Sequence, residues 1–298
     1  VAIAAAKNGK HIFCEKPMAF SRKQAEEMLQ VAEDNGVLHY LNHNYRRVPG
    51  IMLAKQMIDE GHIGKIFHWR GAYQQDWIVD PNFPLTWQLK RETAHAGPQW
   101  DLNSHSVDLA LFLVGDIKTV SCLTTNFIKE RPLPGEGAAA FTSGTGTSAQ
   151  KGEVTVEDAA LMMVEFKNGA IGSFEATRFA TGRKNANTFQ IYGSKGSLVF
   201  DLERMNELQY FSNEDPDNAQ GFRTIMVTES SHPYISNWWP PGHIVGYEHS
   251  FVHAMADFLI ALDKKEKIQP NFEDGVKILA VLEAGLESAK SGKKTEVQ

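Results

Sequence analysis

Lys16 sits in the tripeptide Glu15-Lys16-Pro17, directly after the short apolar run Ile12-Phe13-Cys14. A lysine at the end of a buried strand lies where parallel sheets take up ligands. An amine held there is placed to exchange a proton or to steady a developing negative charge. The proline after it restricts the lysine backbone and admits a cis bond. Asp101 and His105 stand four apart in the stretch GPQWDLNSHSVD, at the start of a predicted helix running to about Gly115. That spacing puts both side chains on one helix face. A carboxylate beside an imidazole orients its tautomer and raises its basicity. Asp108 lies three residues further along the same face. The plainer alternatives are a surface turn with an exposed lysine and a carboxylate–histidine pair that only decorates its helix.

Taken together, these groups suit removal of a hydride from an alcohol. Such a step needs a base for the hydroxyl proton and a cation for the developing carbonyl oxygen. His105 and Lys16 fill those roles, and Asp101 holds one or both. The elements around them must bring a strand end and a distant helix together. From Val1 to Asn44 the pattern is helix, strand, helix, strand, which argues for a parallel sheet. Ser21 with Gln24 three residues on is a capping box, and Ala25, Met28, Leu29 and Ala32 recur at helical spacing. Asn35-Gly36 is a C-terminal stop. A helix is expected from Pro49 to Glu60, and "KIFHWRGAYQ" reads as a strand. From Ile117 strands dominate: "TVSCLTTNFI", "DAALMMVEF", "AIGSFEATRF", "TFQIYG", "SLVFDL" and "ELQYFS". Asn168-Gly169 predicts a two-residue hairpin turn, and strands this closely joined are mostly antiparallel. Two helices close the chain, over about 247–262 and 273–289. Residues 135–153, rich in Gly, Ala, Ser and Thr, are expected to form a mobile loop.

The formal net charge of −6 gives no general attraction to nucleic acid. No run of eighteen apolar residues offers a membrane span. Cys14 and Cys122 are far apart and lack metal-ligand spacing, which fits a reducing, cytoplasmic compartment. Val1 to Gly9 reads as a helix already under way, with neither a capping residue nor a signal-peptide pattern before it. The expectation is therefore a chain that begins inside a domain, with the N-terminal part of a Rossmann sheet preceding Val1.

The stretches "AAKNGKHIFCEKPMAFS", "NHNYRRVP", "IDEGHIGKI", "WDLNSHSVDLALFLVG" and "FEATRFATG…FQIYGSKGSL" resemble the Gfo/Idh/MocA family, the glucose–fructose oxidoreductase and inositol dehydrogenase group, over nearly the whole chain. The resemblance implies an α/β architecture: a Rossmann remnant over residues 1–44, then an α+β unit over 45–298 built on a large, mostly antiparallel sheet covered by helices. It implies NAD or NADP as cofactor, a sugar, glycoside or polyol as substrate, and a homodimer or homotetramer formed through the C-terminal sheet. It makes Lys16, Asp101 and His105 catalytic. It puts Glu15, Lys16, Pro17, Asn44, Arg46 and Trp87 at the cofactor, and Lys16, Gln99, Asn103, His105 and Arg178 at the substrate. "NWWPPGHIVGYEH" is similar to members acting on levoglucosan or other glycosides. The sparse arginines near these motifs favour a neutral sugar over a phosphorylated one.

The sequence departs from the family pattern in four places. The glycine-rich strand–turn–helix is absent. The run before Asp101 reads His95-Ala96-Gly97-Pro98-Gln99-Trp100 instead of being glycine-rich. Asn103 stands where glycine is common, and the basic residue usual after Trp87 is Gln88. Trp77, Trp100, Trp238 and Trp239 are read as core or interface residues, and Arg178 as facing the cleft or forming a sheet-edge salt bridge.

Other patterns compete. Gly144-Thr145-Gly146-Thr147-Ser148-Ala149 matches a dinucleotide loop, but no strand leads in and no helix follows. Gly193-Ser194-Lys195-Gly196-Ser197 is better read as a hairpin turn than a phosphate loop. His39 and His43 are four apart on a strand and its exit, which does not make a zinc site without a third ligand. Two alternative functions remain: a non-catalytic, oligomeric or binding protein of the same fold, and a metal-dependent sugar isomerase or lyase using some of the 11 histidines.

Overall fold

The computed structural model describes residues 1–135 and 150–298. The glycine-rich Gly144–Ala149 pattern lies outside the described residues. Helix α1 (Ala2–Lys7) leads to strand β1 (Ile12–Glu15), helix α2 (Arg22–Asp34) and strand β2 (His39–Asn42). β1 and β2 pair in parallel, with Glu15 opposite Asn42. Ser21 caps α2 by accepting from the Gln24 amide, while the Gln24 side chain accepts from the amide of Phe20. α2 ends at Asn35, and Gly36 takes a positive φ of 60°.

Helix α3 (Pro49–Asp59) and strand β3 (Ile66–Gln74) follow as the sequence predicts. The predicted helix from Asp101 is instead two pieces after a short α4 (Arg91–Ala94): α5 (Pro98–Asp101) and α6 (Asn103–Leu113). Leu102 separates them, so Asp101 closes one helix and His105 belongs to the next. The strands that follow are β4 (Ile117–Thr125), β5 (Glu130–Pro132), β6 (Lys151–Glu153), β7 (Ala159–Phe166), β8 (Ile171–Thr177), β9 (Ala186–Gly193), β10 (Gly196–Asp201), β11 (Glu207–Ser212) and β12 (Arg223–Met226). Helices α7 (His249–Lys264) and α8 (Phe272–Ser291) and strand β13 (Thr295–Glu296) complete the chain. Residues 151–153, expected within a loop, form β6 and pair with β5.

Nine strands make one sheet in the order β12-β11-β10-β9-β3-β8-β7-β4-β13. Every neighbouring pair is antiparallel except β3 and β8. The β7–β8 turn differs from the two-residue form expected. Gly169 alone takes a positive φ, 89°, and Phe166 both accepts from the Gly169 amide and donates to Ala170. This is a three-residue loop with glycine in the left-handed position. The Gly193–Gly196 run is the β9–β10 hairpin.

The strands alternate inward apolar and outward residues, the period-2 signature of a sheet covered on one face. Trp69, Phe174, Phe189 and Phe200 stack on the inner face, with Trp69 and Phe189 ring centroids 5.4 Å apart. Truncating one of these rings to alanine costs about 3–5 kcal/mol. α3, α5, α6 and α8 cover this inner face. Leu123, Leu161, Met163 and Ile171 remain exposed on the outer one. α8 also packs against α2 and β2 and so ties the small parallel sheet to the large one. It is held by an Asn271–Asp274 capping box at one end and Gly292, φ 69°, at the other. α7 covers the opposite face of β1 and β2, where Phe258 meets Phe13 and Tyr40.

Candidate active site

β1 delivers Glu15 and Lys16 at its C-terminal end, and β2 delivers Asn42 and His43 beside them. The Asn42 amide donates to Glu15 Oε1 at 2.7 Å and links the two strand ends. The Lys16–Pro17 peptide is cis. Lys16 Nζ donates to Asp101 Oδ1 at 2.7 Å and to the Asp101 carbonyl at 3.2 Å. Arg178, the first residue after β8, donates to the other oxygen, Oδ2, at 2.7 Å. Its guanidinium lies 5.3 Å over the Trp77 ring. Arg178 thus forms a buried ion pair that also reaches the cleft.

Asp101 is positioned by its helix. At Gly97 a side chain of any kind would collide with the Glu157 carbonyl, so glycine permits this close approach. Pro98 starts α5, and Glu157 Oε1 accepts from the Gln99 amide at 3.0 Å. Burial opposes the charge on Asp101. Lys16 and Arg178 together outweigh that burial and hold its carboxyl well below the usual carboxylate range.

Both Asp101 oxygens are therefore engaged by cations, and neither is hydrogen-bonded to His105. The Asp–His pairing expected from four-residue spacing does not form, because the break at Leu102 turns Asp101 toward Lys16. His105 is enclosed by rings instead: Tyr45 at 4.5 Å, His43 at 5.5 Å and Tyr73 at 5.8 Å between centroids. Its Nδ1 is buried without a partner among the described residues. Burial drives its pKa well below the ordinary histidine value; Lys16 and His43 push the same way, against Asp101. The imidazole is a free base at neutral pH, the state a proton acceptor needs. Burial likewise holds Tyr45 and Tyr73 in their protonated forms.

Trp87 lies half-exposed at a cavity of about 280 Å³ lined also by Pro17, Phe20, Gln88, Trp100, Asp101 and Arg178. Gln88 Oε1 and Trp100 Nε1 are buried there without partners among the described residues. Flat apolar rings with one free acceptor and one free donor fit a nicotinamide carboxamide. A larger cavity of about 580 Å³, lined by His11, His39 and Lys267 among others, opens at the opposite, N-terminal end of the two strands.

The remaining expected contacts lie elsewhere. Gln99 and Asn103 are fully buried; Asn103 donates to Gln99, and Gln99 faces Met162 and Leu282 in the core. They are turned away from the cleft because their helix face packs on α8 and the sheet. Arg46 is buried between Asp108 and Asp274, at 2.7 and 3.1 Å, and Asn44 donates to Ser250. Both are spent on internal bonds, so the structure makes them braces instead of exposed cofactor contacts. His39 stacks on Phe272 while His43 faces His105, so this pair does not converge. Among the described residues no group of three or more His, Cys, Asp or Glu gathers at metal-ligand spacing. The sequence reading missed Tyr45, Tyr73, Asn185 and Tyr247, whose only signal was their polar tips.

A parallel-strand lysine, a carboxylate from a far helix and a neutral histidine, beside a large one-face-covered sheet, define an oxidoreductase site of the dinucleotide-binding type. The chain belongs to the Gfo/Idh/MocA oxidoreductase family. Residues 51–199 match the GFO/IDH/MocA C-terminal domain, and residues 1–43 match the oxidoreductase family with NAD-binding Rossmann fold. It is 41% identical to levoglucosan dehydrogenase of Pseudarthrobacter phenanthrenivorans over 97% of this chain and 74% of that protein. It is 30% identical to 1,5-anhydro-D-fructose reductase of Ensifer adhaerens over 66% of this chain and 51% of that protein. Among solved structures, levoglucosan dehydrogenase in complex with NADH and levoglucosan superposes with a TM-score of 0.92 at 39% identity, over 100% of this chain and 76% of that one. An oxidoreductase domain protein from Kribbella flavida superposes with a TM-score of 0.94 at 44% identity, over 100% and 77%. The chain is a nicotinamide-dependent oxidoreductase, and its relatives include sugar and polyol dehydrogenases.

Proposed function

We propose that this site oxidises one hydroxyl of a neutral sugar, glycoside or polyol, with levoglucosan or a related anhydrosugar as the leading substrate. The observation that carries this reading is the meeting of Lys16 Nζ with the Asp101 carboxylate at 2.7 Å, four residues before the neutral, ring-enclosed His105. His105 accepts the proton of the reacting hydroxyl. Lys16 steadies the oxygen as negative charge develops on it, and Asp101, anchored by Arg178, holds the ammonium in place. Pro17, Trp87, Gln88 and Trp100 would hold the nicotinamide, and Trp87 shields the cleft from water. NAD supplies the hydride acceptor when bound. NAD rather than NADP is our choice because the family match is to an NAD-binding fold and a similar structure holds NADH. His105→Gln in the native, full-length protein should lower turnover by about a hundredfold or more, with NADH binding retained. Near-normal turnover by that variant would overturn the assignment.

We place the seam between the dinucleotide-binding and substrate units near residue 44, so that His43 and Tyr45 sit on either side of it. The exposed apolar face carrying Leu123, Leu161, Met163 and Ile171 supports self-association into a dimer or tetramer. Leu161→Lys with Met163→Lys should reduce the mass measured by light scattering to that of one chain. No described helix is long and apolar enough to cross a membrane. With both cysteines free, a cytoplasmic location is the one we propose.

A further inference from the structure

The tyrosines around His105 belong to a longer hydrogen-bonded row whose direction can be worked out from one indole. Trp77 Nε1 is a donor only, and it donates to Gln75 Oε1 at 2.9 Å. That contact orients the Gln75 amide, whose Nε2 donates to Asn185 Oδ1 at 3.0 Å. Asn185 Oδ1 must therefore accept, and it also receives the Tyr73 hydroxyl at 2.7 Å. The Tyr73 proton being used there, Tyr45 donates to Tyr73 across 2.8 Å. The Tyr45 oxygen is left with only lone pairs to offer toward Tyr247, whose hydroxyl stands 3.5 Å away. That distance is beyond a normal O–H···O bond, and the Tyr247 side chain is half exposed.

The row thus has two free ends of opposite character. Asn185 is partly buried, and its Nδ2 makes no hydrogen bond among the described residues, so it offers a donor. At the other end Tyr247 and Tyr45 offer a hydroxyl and lone pairs. The buried middle of the row, Tyr45 and Tyr73, is the wall that stacks on His105. Each end is one hydrogen-bonding partner removed from a ring that packs on His105: Asn185 from Tyr73, whose ring centroid lies 5.8 Å from the imidazole, and Tyr247 from Tyr45, at 4.5 Å. A neutral polyol, whose hydroxyls both donate and accept, matches such a pair of ends.

We propose that Tyr247 and Asn185 are specificity-determining contacts that read the non-reacting hydroxyls of the sugar, with their polarity set by Trp77 through Gln75. This rests on the reading of His105 as the point where the reacting hydroxyl lies. Tyr247→Phe removes only a half-exposed hydroxyl. Asn185→Asp keeps the acceptor for Tyr73 and Gln75 but removes the amide donor. Trp77→Phe removes the polar anchor and keeps the ring under Arg178.

The native, full-length protein with NADH would be titrated calorimetrically with levoglucosan, D-xylose and myo-inositol, and with the monodeoxy forms of the best binder. Kinetics would be measured on the same set. Tyr247→Phe and Asn185→Asp should each weaken sugar binding about five- to tenfold, the worth of one hydrogen bond, with the loss in KM and not in kcat. For each variant one monodeoxy sugar should bind as well as it does to the wild type, a different one for each. Trp77→Phe should blunt both preferences together. An unchanged ranking of the deoxy sugars in Tyr247→Phe and Asn185→Asp would overturn this proposal and leave the role of His105 standing. Normal turnover by His105→Gln would overturn the functional reading, and binding of no sugar or polyol in the set would overturn both.

Discussion

Two charge clusters in this molecule are built as mirror images. In the cleft one carboxylate, Asp101, lies between two cations, Lys16 and Arg178. In the interior one guanidinium, Arg46, lies between two carboxylates, Asp108 and Asp274. Asp101 and Asp108 are seven residues apart in one stretch of sequence, with His105 between them. The difference is access. The Asp101 side chain is 41% exposed and the Lys16 side chain 19%, whereas Arg46 and Asp108 are at 2% and 1%. A charge cluster open to a cavity keeps a cation within reach of a ligand. A sealed one has its charges paired inward and serves to hold the turn at residues 44–47, α6 and α8 in register. A third cluster calibrates both: Asp116 lies on the surface between Lys167 and Lys277, at 3.4 and 3.1 Å.

The comparison is sharpest at the interior cluster. Arg46→Ala strands two carboxylates in the core and should lower unfolding free energy by about 3–5 kcal/mol, read by denaturant titration, with turnover per folded molecule preserved. A loss of cofactor binding without a loss of stability would restore Arg46 to the cofactor site. In the cleft, Lys16→Met should do the reverse. Turnover should fall by about a hundredfold, while the stability change stays within about 1 kcal/mol, since Asp101 keeps Arg178. A large drop in melting temperature for that variant would erase the distinction.

The pH dependence comes next in size. Burial depresses the pKa of His105 and His43 in the folded protein. The unfolded chain therefore takes up protons first as pH falls below about 6.5, so stability is full above that point and declines beneath it. The acid limb of kcat/KM should also lie below the ordinary histidine range. His105→Gln should flatten the stability slope between pH 6.5 and 5 as followed by thermal melts; an unchanged slope would contradict a neutral buried imidazole. The smallest effect belongs to the surface cluster. Asp116→Ala should cost less than about 1 kcal/mol, and its effect should fade in high salt.

Local signals carried far here. Ser21, Asn35-Gly36 and Pro49 mark helix ends, and the alternation in Ala159–Phe166 and Ile171–Thr177 marks half-covered strands, because caps and period-2 burial are properties of neighbouring residues. The lysine, aspartate and histidine stand out for the same reason, and the family motifs pick out the same three. What escaped was relational. Nothing in the run PQWDLNSH reveals that the helix breaks at Leu102. Nor does it show that Asn103 and Gln99 face the core while Asp101 faces Lys16, 85 residues away in the chain. Trp77, Gln75 and Asn185 lie in loops with no pattern at all, and their order appears only when strand ends are brought side by side.

The chain's own sequence determined most helix and strand ends, which faces are apolar, and which side chains have chemistry to offer, since these follow from local propensity and periodic burial. Only the tertiary structure decided who partners whom. An ionisable group commits to whichever opposite charge packing brings within about 3 Å, and for Asp101 that was Lys16 and Arg178, not the histidine four residues on.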